Sequence, residues 1–438
     1  MPYCVNCGTQ INPGFSFCPN CGFRIISVNS TGTGAGAFHP PAPSSGQTDL
    51  VDKYLRINPG VETYDSFIAG VVIQGDIITI CSALDSEIRP AAQSGDASAN
   101  VVLGVLYAKG YATEQNEEKS FECFGEAALK GHPLAEWITG LIEMEADSHR
   151  ALFWDLNLSR GFQWFIKSAD QGYCAAMVNL GNCYSEGKGT AQNKSEALKW
   201  YRKAADQGFA PAQHKVGRLY HGVEDGSSIN YPEAVKWYSK AAAQGYAPSQ
   251  NNLGLCFYEG QGVPVDYSEA VRWYRKAAEQ GLDVAQYHLG KCYADGRGVD
   301  RDNTEAENWF TKAAEQGDAG YQLNLARWLR WHPTLLDNGI RSYGNYTTWY
   351  RKAAEQGDAQ AQFELANELM PDGFGFGESE AVEWYHKAAM QGHAGAQYEL
   401  GMCYAKGRGV QKDLSVAMRW IRAAAAQGDK QAIEYLNR

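Results

Sequence analysis

The stretch EAVRWYRKAAEQGLDVAQYHLGKCY, residues 269–293, contains two amphipathic helical patterns separated by a glycine. A close copy, WYRKAAEQGDAQAQFELA, follows at 349–366. The glycine that ends the AAEQG signature recurs at intervals of 35 to 41 residues, and we call these residues the marker glycines. They are Gly95, Gly131, Gly172, Gly208, Gly245, Gly281, Gly317, Gly357, Gly392 and Gly428. A fixed period of this length predicts a solenoid of stacked units rather than two or three independent globular domains.

A tryptophan stands eight residues before each of the last eight marker glycines, so eight of the twelve tryptophans occupy one position of the repeat. They are Trp164, Trp200, Trp237, Trp273, Trp309, Trp349, Trp384 and Trp420. Because this position lies on an apolar stripe, we interpret it as core packing rather than as a surface that stacks a ligand.

Each unit reads as two helices. Within 282–317, apolar residues recur at i, i+4, i+7 and i+8 from Ala285 to Tyr293, and at i, i+3, i+4 and i+7 from Ala306 to Ala313. We call the helix after a marker glycine the first helix and the next one the second helix. Gly296 suits the left-handed residue that ends a first helix.

Capping residues and small residues support the same assignment. Four pairs place a capping side chain three residues before a glutamate: Asn193/Glu196, Asn230/Glu233, Asp266/Glu269 and Asp302/Glu305. Small residues in the first helices would let neighbouring helices approach closely; they are Gly181, Gly217, Gly254, Gly290 and Gly401. One unit of about 36 residues cannot bury its apolar stripe alone, so stacking must complete the core.

The pattern AQYHLGKCYADGRGV followed by EAENWFTKAAEQG resembles the Sel-one-like repeat, a branch of the tetratricopeptide-like superfamily, over roughly 96–438. The resemblance implies an all-α, right-handed αα-superhelical solenoid of about nine to ten helix pairs. It also implies an adaptor or scaffold that binds other proteins or peptide segments. Some secreted, cysteine-rich bacterial members bind penicillins, which makes a β-lactam-acting enzyme the alternative.

The repeated cysteines weigh against that alternative. Those members carry cysteines spaced to bridge the paired helices, whereas here one cysteine per unit occurs at Cys183, Cys256, Cys292 and Cys403. We predict that these four are buried and inert. His214 and His288 lie on first helices without a serine, cysteine or carboxylate at partner spacing, so no catalytic residue is predicted.

The N-terminus carries a separate cysteine cluster. CVNCGTQINPGFSFCPNCG spaces Cys4, Cys7, Cys18 and Cys21 so that four thiolates can surround one Zn²⁺. Two disulfides or a redox pair are the alternatives, but a redox CxxC would need a βαβ setting that this sequence lacks. The segment resembles a zinc ribbon over 1–25, with small β-type structure, and four protein ligands leave no open coordination site for catalysis.

Between the ribbon and the repeats lie two further segments. Residues 26–48 contain no charged side chain and are rich in Ser, Gly and Pro, which is typical of a flexible linker. Residues 49–95 are predicted to form a degenerate N-terminal capping repeat, in which Glu87 takes the tryptophan position. A β-hairpin, VVIQGDIITI turning at Gly75–Asp76, is the competing interpretation for 61–95.

Charge and hydropathy narrow the class of protein. A net charge of −11 argues against a groove that follows a phosphate backbone, and Arg24 is the only charged side chain in the first 48 residues. Nucleic-acid binding through the ribbon is therefore only a second alternative. FIAGVVIQGDIITICSAL (67–84) is the longest apolar stretch, but Asp76 interrupts it. With no secretory signal at the N-terminus, we expect a soluble, cytoplasmic protein without a membrane span, and a span at 67–84 is the alternative.

Two features are candidates for partner binding. Polar residues stand seven positions after the marker glycines, on the flank of the first helix, where they could bond the backbone of an extended partner or simply face solvent. We call them the ladder residues: Asn179, Lys215, Asn252, His288, Asn324, Glu364 and Glu399. The second feature is the pair of irregular units, 132–172 and 318–357, whose extra residues form either binding loops or packing plugs. Four aromatic residues of these units lie off the repeat pattern: Phe153, Trp154, Trp328 and Trp331. Of these, we predict that Trp331 binds a partner.

Overall fold

The computed structural model describes residues 50–57, 64–74, 77–145, 157–222, 229–332, 334–335, 341–342, 346–370 and 377–437. The zinc-ribbon cysteines and the 26–48 segment lie outside these residues, as do Gly75, Asp76, Phe153 and Trp154. The chain divides into two compact units, 1–265 and 266–438.

The first unit contains thirteen α-helices among its described residues. They are α1 (Leu50–Tyr54), α2 (Tyr64–Gly70), α3 (Ile77–Ala83), α4 (Arg89–Ser94), α5 (Ala97–Lys109), α6 (Glu117–Leu129), α7 (Pro133–Met144), α8 (Leu158–Asp170), α9 (Cys174–Glu186), α10 (Lys194–Asp206), α11 (Ala210–His221), α12 (Tyr231–Ala243) and α13 (Ala247–Glu259). A π-helical turn, Leu84–Ile88, joins α3 to α4.

The second unit continues the alternation of first and second helices. Its helices are α14 (Tyr267–Glu279), α15 (Asp283–Asp295), α16 (Asn303–Glu315), α17 (Ala319–Trp331), α18 (Tyr346–Glu355), α19 (Ala359–Leu369), α20 (Glu378–Met390), α21 (Ala394–Lys406), α22 (Leu414–Ala426) and α23 (Lys430–Leu436). From α4 to α13 and from α14 to α23, each helix packs on the next one. The all-α solenoid of helix pairs is confirmed.

Two short strand pairs accompany the helices. Strand β1 (Leu55–Arg56) pairs antiparallel with β2 (Val72–Ile73), and β3 (Thr334–Leu335) pairs antiparallel with β4 (Arg341–Ser342). The prediction of a β-hairpin within VVIQGDIITI is therefore wrong. The first half of this segment pairs with β1, and its second half begins α3. The interpretation of 49–95 as a capping repeat stays a prediction. Glu87, at the tryptophan position, accepts hydrogen bonds from Lys53 Nζ and Tyr54 Oη.

Residues 67–84 do not form one span. They comprise the end of α2, strand β2, α3 and the first residue of the π-helical turn. Within the described residues, no helix combines the length and the apolar character that crossing a bilayer needs.

A glycine in the first helix lets the second helix approach closely. At Gly217 in α11, an added Cβ would stand 2.6 Å from the Tyr238 ring of α12, and at Gly290 it would stand 2.7 Å from the Phe310 ring. Gly181 and Gly401 meet Tyr201 and Ile421 in the same way. The predicted role of these small residues is confirmed at the four positions.

A buried side chain comes one residue after each repeated tryptophan. Tyr201, Tyr238, Tyr274 and Tyr350 are at most 1% exposed. Of the eight tryptophans, only Trp384 is buried, and the other seven are half-buried at the edge of the core. The interpretation as core residues is thus correct only in part.

Lysines cover the exposed side of that edge. In seven second helices the lysine three residues after the tryptophan places Nζ 3.7–4.5 Å from the indole ring, a cation–π distance. The pairs are Trp164/Lys167, Trp200/Lys203, Trp237/Lys240, Trp273/Lys276, Trp309/Lys312, Trp349/Lys352 and Trp384/Lys387.

Buried glutamines tie successive helices together. Gln286 of α15 donates to the Ala278 carbonyl of the preceding second helix at 3.2 Å and accepts from Gln316 Nε2, at the end of the following second helix, at 2.8 Å. Gln316 also donates to the Gly281 carbonyl. Gln362 makes the same set with Ala354 and Gln391. One buried amide therefore links three helices, and its own hydrogen-bonding groups are satisfied, as a buried polar group requires.

The loops and caps follow the sequence expectations. Gly296 ends α15 with φ 67°, and the Asp302 side chain accepts from Glu305 N at 3.1 Å at the start of α16. The other three predicted caps are also present. A Cβ at Gly298 would collide with the Tyr267 carbonyl, so this loop can approach the start of α14 only with glycine.

The close approach of α11 and α12 predicts the effect of a single methyl group. Gly217→Ala should lower the free energy of unfolding by about 1–2 kcal/mol, because the Tyr238 ring must move away from the new Cβ. Gly125→Ala in α6 is the matched control, since nothing lies within 4 Å of its added Cβ; it should raise stability by about 0.5–1 kcal/mol. Urea denaturation followed by circular dichroism measures both. Equal effects of the two variants would contradict the contact.

Candidate functional site

The ladder residues all lie in first helices, from α9 to α21, and all but Asn179 are half-buried. In the structure, some of their side chains are held by hydrogen bonds or ion pairs to neighbouring repeats, and others are not. Whether any of them binds a partner stays a prediction.

Two ladder residues are held by neighbouring repeats. Asn179 is buried, and its Oδ1 accepts from Trp137 Nε1 of α7 at 3.3 Å. Glu364 accepts from Arg327 Nε of α17 at 3.0 Å and from Gln360 Nε2 at 2.8 Å. Hydrogen bonds from Arg327 lower the pKa of Glu364 against the opposing effect of burial, which is the largest single influence. Both side chains stabilise contacts between first helices.

Among the remaining ladder residues, Asn252 and His288 also contact neighbouring side chains, whereas Asn324 and Glu399 differ from them. Asn252 accepts a hydrogen bond from Asn251 at 3.3 Å, and the ring of His288 lies 5.0 Å from that of Tyr274. Asn324 and Glu399 make no side-chain hydrogen bond or ion pair within the described residues. Burial raises the pKa of Glu399, with Lys406 acting in the opposite direction. These two side chains can therefore bond an incoming group without breaking an internal contact.

Trp331 is the candidate binding residue that lies outside the ladder, and it is exposed. Its relative exposure is 73%, and the Arg330 guanidinium lies 5.5 Å from its ring. Arg330 also forms an ion pair with Glu368 of α19 at 2.7 Å. Trp328, by contrast, packs on Phe310 and stacks with His332 at 3.6 Å, so this off-pattern tryptophan has a packing role.

The four repeated cysteines are buried free thiols, as predicted. Cys183, Cys256, Cys292 and Cys403 are at most 5% exposed and form no disulfide. Burial raises the pKa of Cys256 and of Cys292 to about 12. A thiol with so high a pKa is not ionised at neutral pH and is a poor nucleophile.

His214 is a buried histidine, and the expectation that no serine accompanies it is wrong, because the next repeat brings Ser249 beside its ring. Its Nδ1 lies 2.9 Å from Ser249 Oγ, with the Tyr238 and Tyr246 rings beside it. Burial, followed by Arg218 and Lys215, lowers the pKa of His214 to about 3. The side chain is therefore neutral at physiological pH.

One aromatic contact on the first-helix face was not anticipated. Tyr321 of α17 lies beside Tyr287 of α15, with ring centroids 5.3 Å apart and an interplanar angle of 35°. A sequence signal existed, because Tyr321 stands where the other repeats have alanine or serine.

The comparisons with known proteins agree with this architecture. The Sel1 repeat family matches residues 97–132, 155–173, 174–209, 210–246, 247–282, 283–318, 348–358, 359–393 and 394–429. The chain belongs to the Sel1 repeat family. A zinc-ribbon domain matches residues 3–25. No curated protein matches the chain.

Two solved structures illustrate the likeness. The protective antigen c5321 of uropathogenic Escherichia coli strains, which displays an SLR fold, is 32% identical; the match covers 82% of this chain and 74% of that one, with a TM-score of 0.55. A Sel1 repeat protein from Oxalobacter formigenes is 25% identical, with coverage of 83% and 94% and a TM-score of 0.46.

The buried His214 predicts an acid-sensitive first unit. Since its folded pKa lies below the unfolded value near 6.5, its contribution to stability is complete above about pH 6.5 and is lost as pH falls toward its folded pKa. Between pH 7 and pH 5 the loss should be about 2 kcal/mol. His214→Asn, which copies Asn251 at the equivalent position of the next repeat, should remove this part of the pH dependence. Urea denaturation of both proteins at the two pH values measures it; identical pH dependence would contradict the assignment.

Proposed function

We propose that the protein is a non-enzymatic scaffold that binds a segment of another protein along its first-helix face. The observation that carries this proposal is the pair of uncommitted polar side chains, Asn324 and Glu399, at the same position of two repeats. Family membership supports it, because Sel1 repeats build protein-interaction scaffolds.

The chemistry of these positions suits a polypeptide ligand. An extended chain presents backbone N–H and C=O groups in regular succession, and an amide side chain can donate to one and accept from the other. Glu399 can accept from a backbone N–H or from a basic side chain. The rigid first helices hold these side chains in place, so little conformational entropy is lost on binding.

The described titratable groups favour binding over catalysis. The repeated cysteines remain protonated thiols, and His214 faces Ser249 in a site where both residues are buried. A β-lactam-acting enzyme would need an accessible nucleophile at one of these places. Steady turnover of a chromogenic β-lactam by the purified protein would overturn the proposal.

The N-terminal ribbon adds a metal to this scaffold. Cys4, Cys7, Cys18 and Cys21 form an all-thiolate donor set that fits Zn²⁺, whose bound form would supply folding energy to a short segment. We place the protein in the cytoplasm, where reduced thiols persist.

Partner capture with matched variants tests the scaffold. The full chain, a truncated chain starting at Asp49 and the double variant Asn324→Ala/Glu399→Gln are used as bait, with mass-spectrometric identification of what they retain. The double variant should retain at least about fivefold less partner, since each lost hydrogen bond weakens binding by about 0.5–1.5 kcal/mol.

Asn308→Ala/Glu315→Gln is the matched control, because it removes the same chemical groups from exposed positions of the second helix α16. It should retain partner normally. Equal retention by the two double variants, with unchanged circular dichroism, would refute binding on the first-helix face.

Metal analysis tests the ribbon. The full chain should contain one zinc per molecule, because four thiolates complete one tetrahedral site. Cys4→Ser/Cys21→Ser should lose the metal, whereas Cys256→Ser should keep it, since Cys256 is buried in the core. Inductively coupled plasma mass spectrometry measures the ratio; zinc retained by the first variant would contradict the assignment.

A further inference from the structure

One residue breaks the pattern of the first helices. Four positions after the marker glycine, the other repeats carry a small side chain with no exposed surface: Ala99, Ala135, Ala176, Ala212, Ser249, Ala285, Ala361, Ala396 and Ala432. In α17 this position is Tyr321, which is half-buried. Tyr321 packs against the cluster that contains Phe310 and Leu325, yet unlike the small residues of the other repeats it leaves part of its side chain exposed.

Tyr321 forms a pair with Tyr287. The two rings come from adjacent first helices, and both are half-buried. The inner side of the pair packs on the core, where the Tyr287 ring lies 5.5 Å from that of Phe310. Neither phenol hydroxyl has a hydrogen-bond partner within the described residues, and none of the described lysines or arginines lies over either ring. Arg327, the nearby cation that acts on Tyr287, is engaged by Glu364 at 3.0 Å.

Two carboxylates lie beside the pair. Asp283 and Asp318 both act on the Tyr321 hydroxyl, and together with burial, which is the main cause, they raise the pKa of Tyr321 to about 12. Each uses Oδ1 to accept from a backbone N–H at a helix start, Val284 N at 2.6 Å and Tyr321 N at 3.0 Å. Neither carboxylate forms an ion pair within the described residues, so their negative charge is available to a ligand.

We propose that Tyr287, Tyr321, Asp283 and Asp318 form a docking site for a lysine or arginine side chain of the partner polypeptide. The faces of the two rings are electronegative, and the two carboxylates add negative charge, so the site attracts a cation and repels an anion. The ladder residue Asn324 follows Tyr321 by three positions on α17, where it could bond the backbone that carries this cation. The inference rests on the scaffold function proposed above.

The test uses a short peptide as the probe. The full chain is labelled with 3-fluorotyrosine, and Tyr287→Phe and Tyr321→Phe assign the two resonances in ¹⁹F NMR spectra. Acetyl-Gly-Arg-Gly-amide should shift both resonances in a saturable way. The citrulline peptide, which has the same shape without the charge, should bind at least about threefold more weakly, and added salt should weaken only the arginine peptide.

Variants separate the site from the frame. Tyr321→Ala restores the small residue of the other repeats, so the chain should fold, yet the shift of the Tyr287 resonance should disappear. Asp283→Asn/Asp318→Asn should weaken binding of the arginine peptide at least about threefold, because asparagine keeps an oxygen that can accept the same backbone hydrogen bond but lacks the charge. Asp358→Asn, which alters the equivalent cap of α19, should leave binding unchanged.

Equal shifts with arginine and citrulline, or an unchanged Tyr287 shift in a folded Tyr321→Ala variant, would overturn the proposal. If partner capture succeeds while the peptide leaves both resonances in place, the scaffold function stands and this site alone is wrong. If capture fails while the arginine peptide still binds in the expected way, the site stands without the proposed partner.

Discussion

The contact between a first-helix glycine and a second-helix ring sets the separation of the two helices in a pair, and the rest of each unit depends on it. Where the glycine is present, as at Gly217 and Gly290, the facing ring occupies the space of the missing Cβ. Where alanine replaces it, as at Ala326 and Ala366, both it and the ring that follows the tryptophan remain buried, so those pairs have accommodated one methyl group. The buried glutamines then link each pair to the next through amide hydrogen bonds. Together these contacts make a frame in which equivalent side chains form equivalent contacts in successive repeats.

The positions that we propose to bind a partner are those where the repeats differ. Asn179 and Glu364 occupy ladder positions but serve contacts between helices, whereas Asn324 and Glu399 do not. Tyr321 departs from the small residue of its position and meets Tyr287 on the same face. The first-helix face of the second unit therefore combines two polar side chains without partners among the described residues, a half-buried tyrosine pair and negative charge, which is a suitable surface for a polypeptide with a basic side chain.

Much of the frame could be predicted from the sequence, because it depends on local signals that repeat. The helix pairs, the caps at Asp266 and Asp302, the left-handed Gly296 and the buried cysteines all follow from residue type and spacing. The glutamine contacts could not be predicted, since Gln286 and Gln316 are polar residues thirty positions apart and only the stacked helices bring them together. Strand β2 likewise pairs with β1, whose residues lie well before it in the sequence, which is why the local turn signal at Gly75–Asp76 was misleading. Whether a ladder residue has an internal partner likewise depends on side chains in adjacent repeats. Glu364, for example, is bound by Arg327 of the preceding repeat.

The central claim is that partners bind the first helices and leave the second helices free. Hydrogen–deuterium exchange of the full chain, with and without a partner recovered by capture, tests this most directly because it reports on every helix in one experiment. The account predicts that the partner slows exchange in the peptides that contain α15, α17 and α21, and leaves α16 and α20 unchanged. Slower exchange confined to the second helices, where lysines cover the repeated tryptophans, would contradict it.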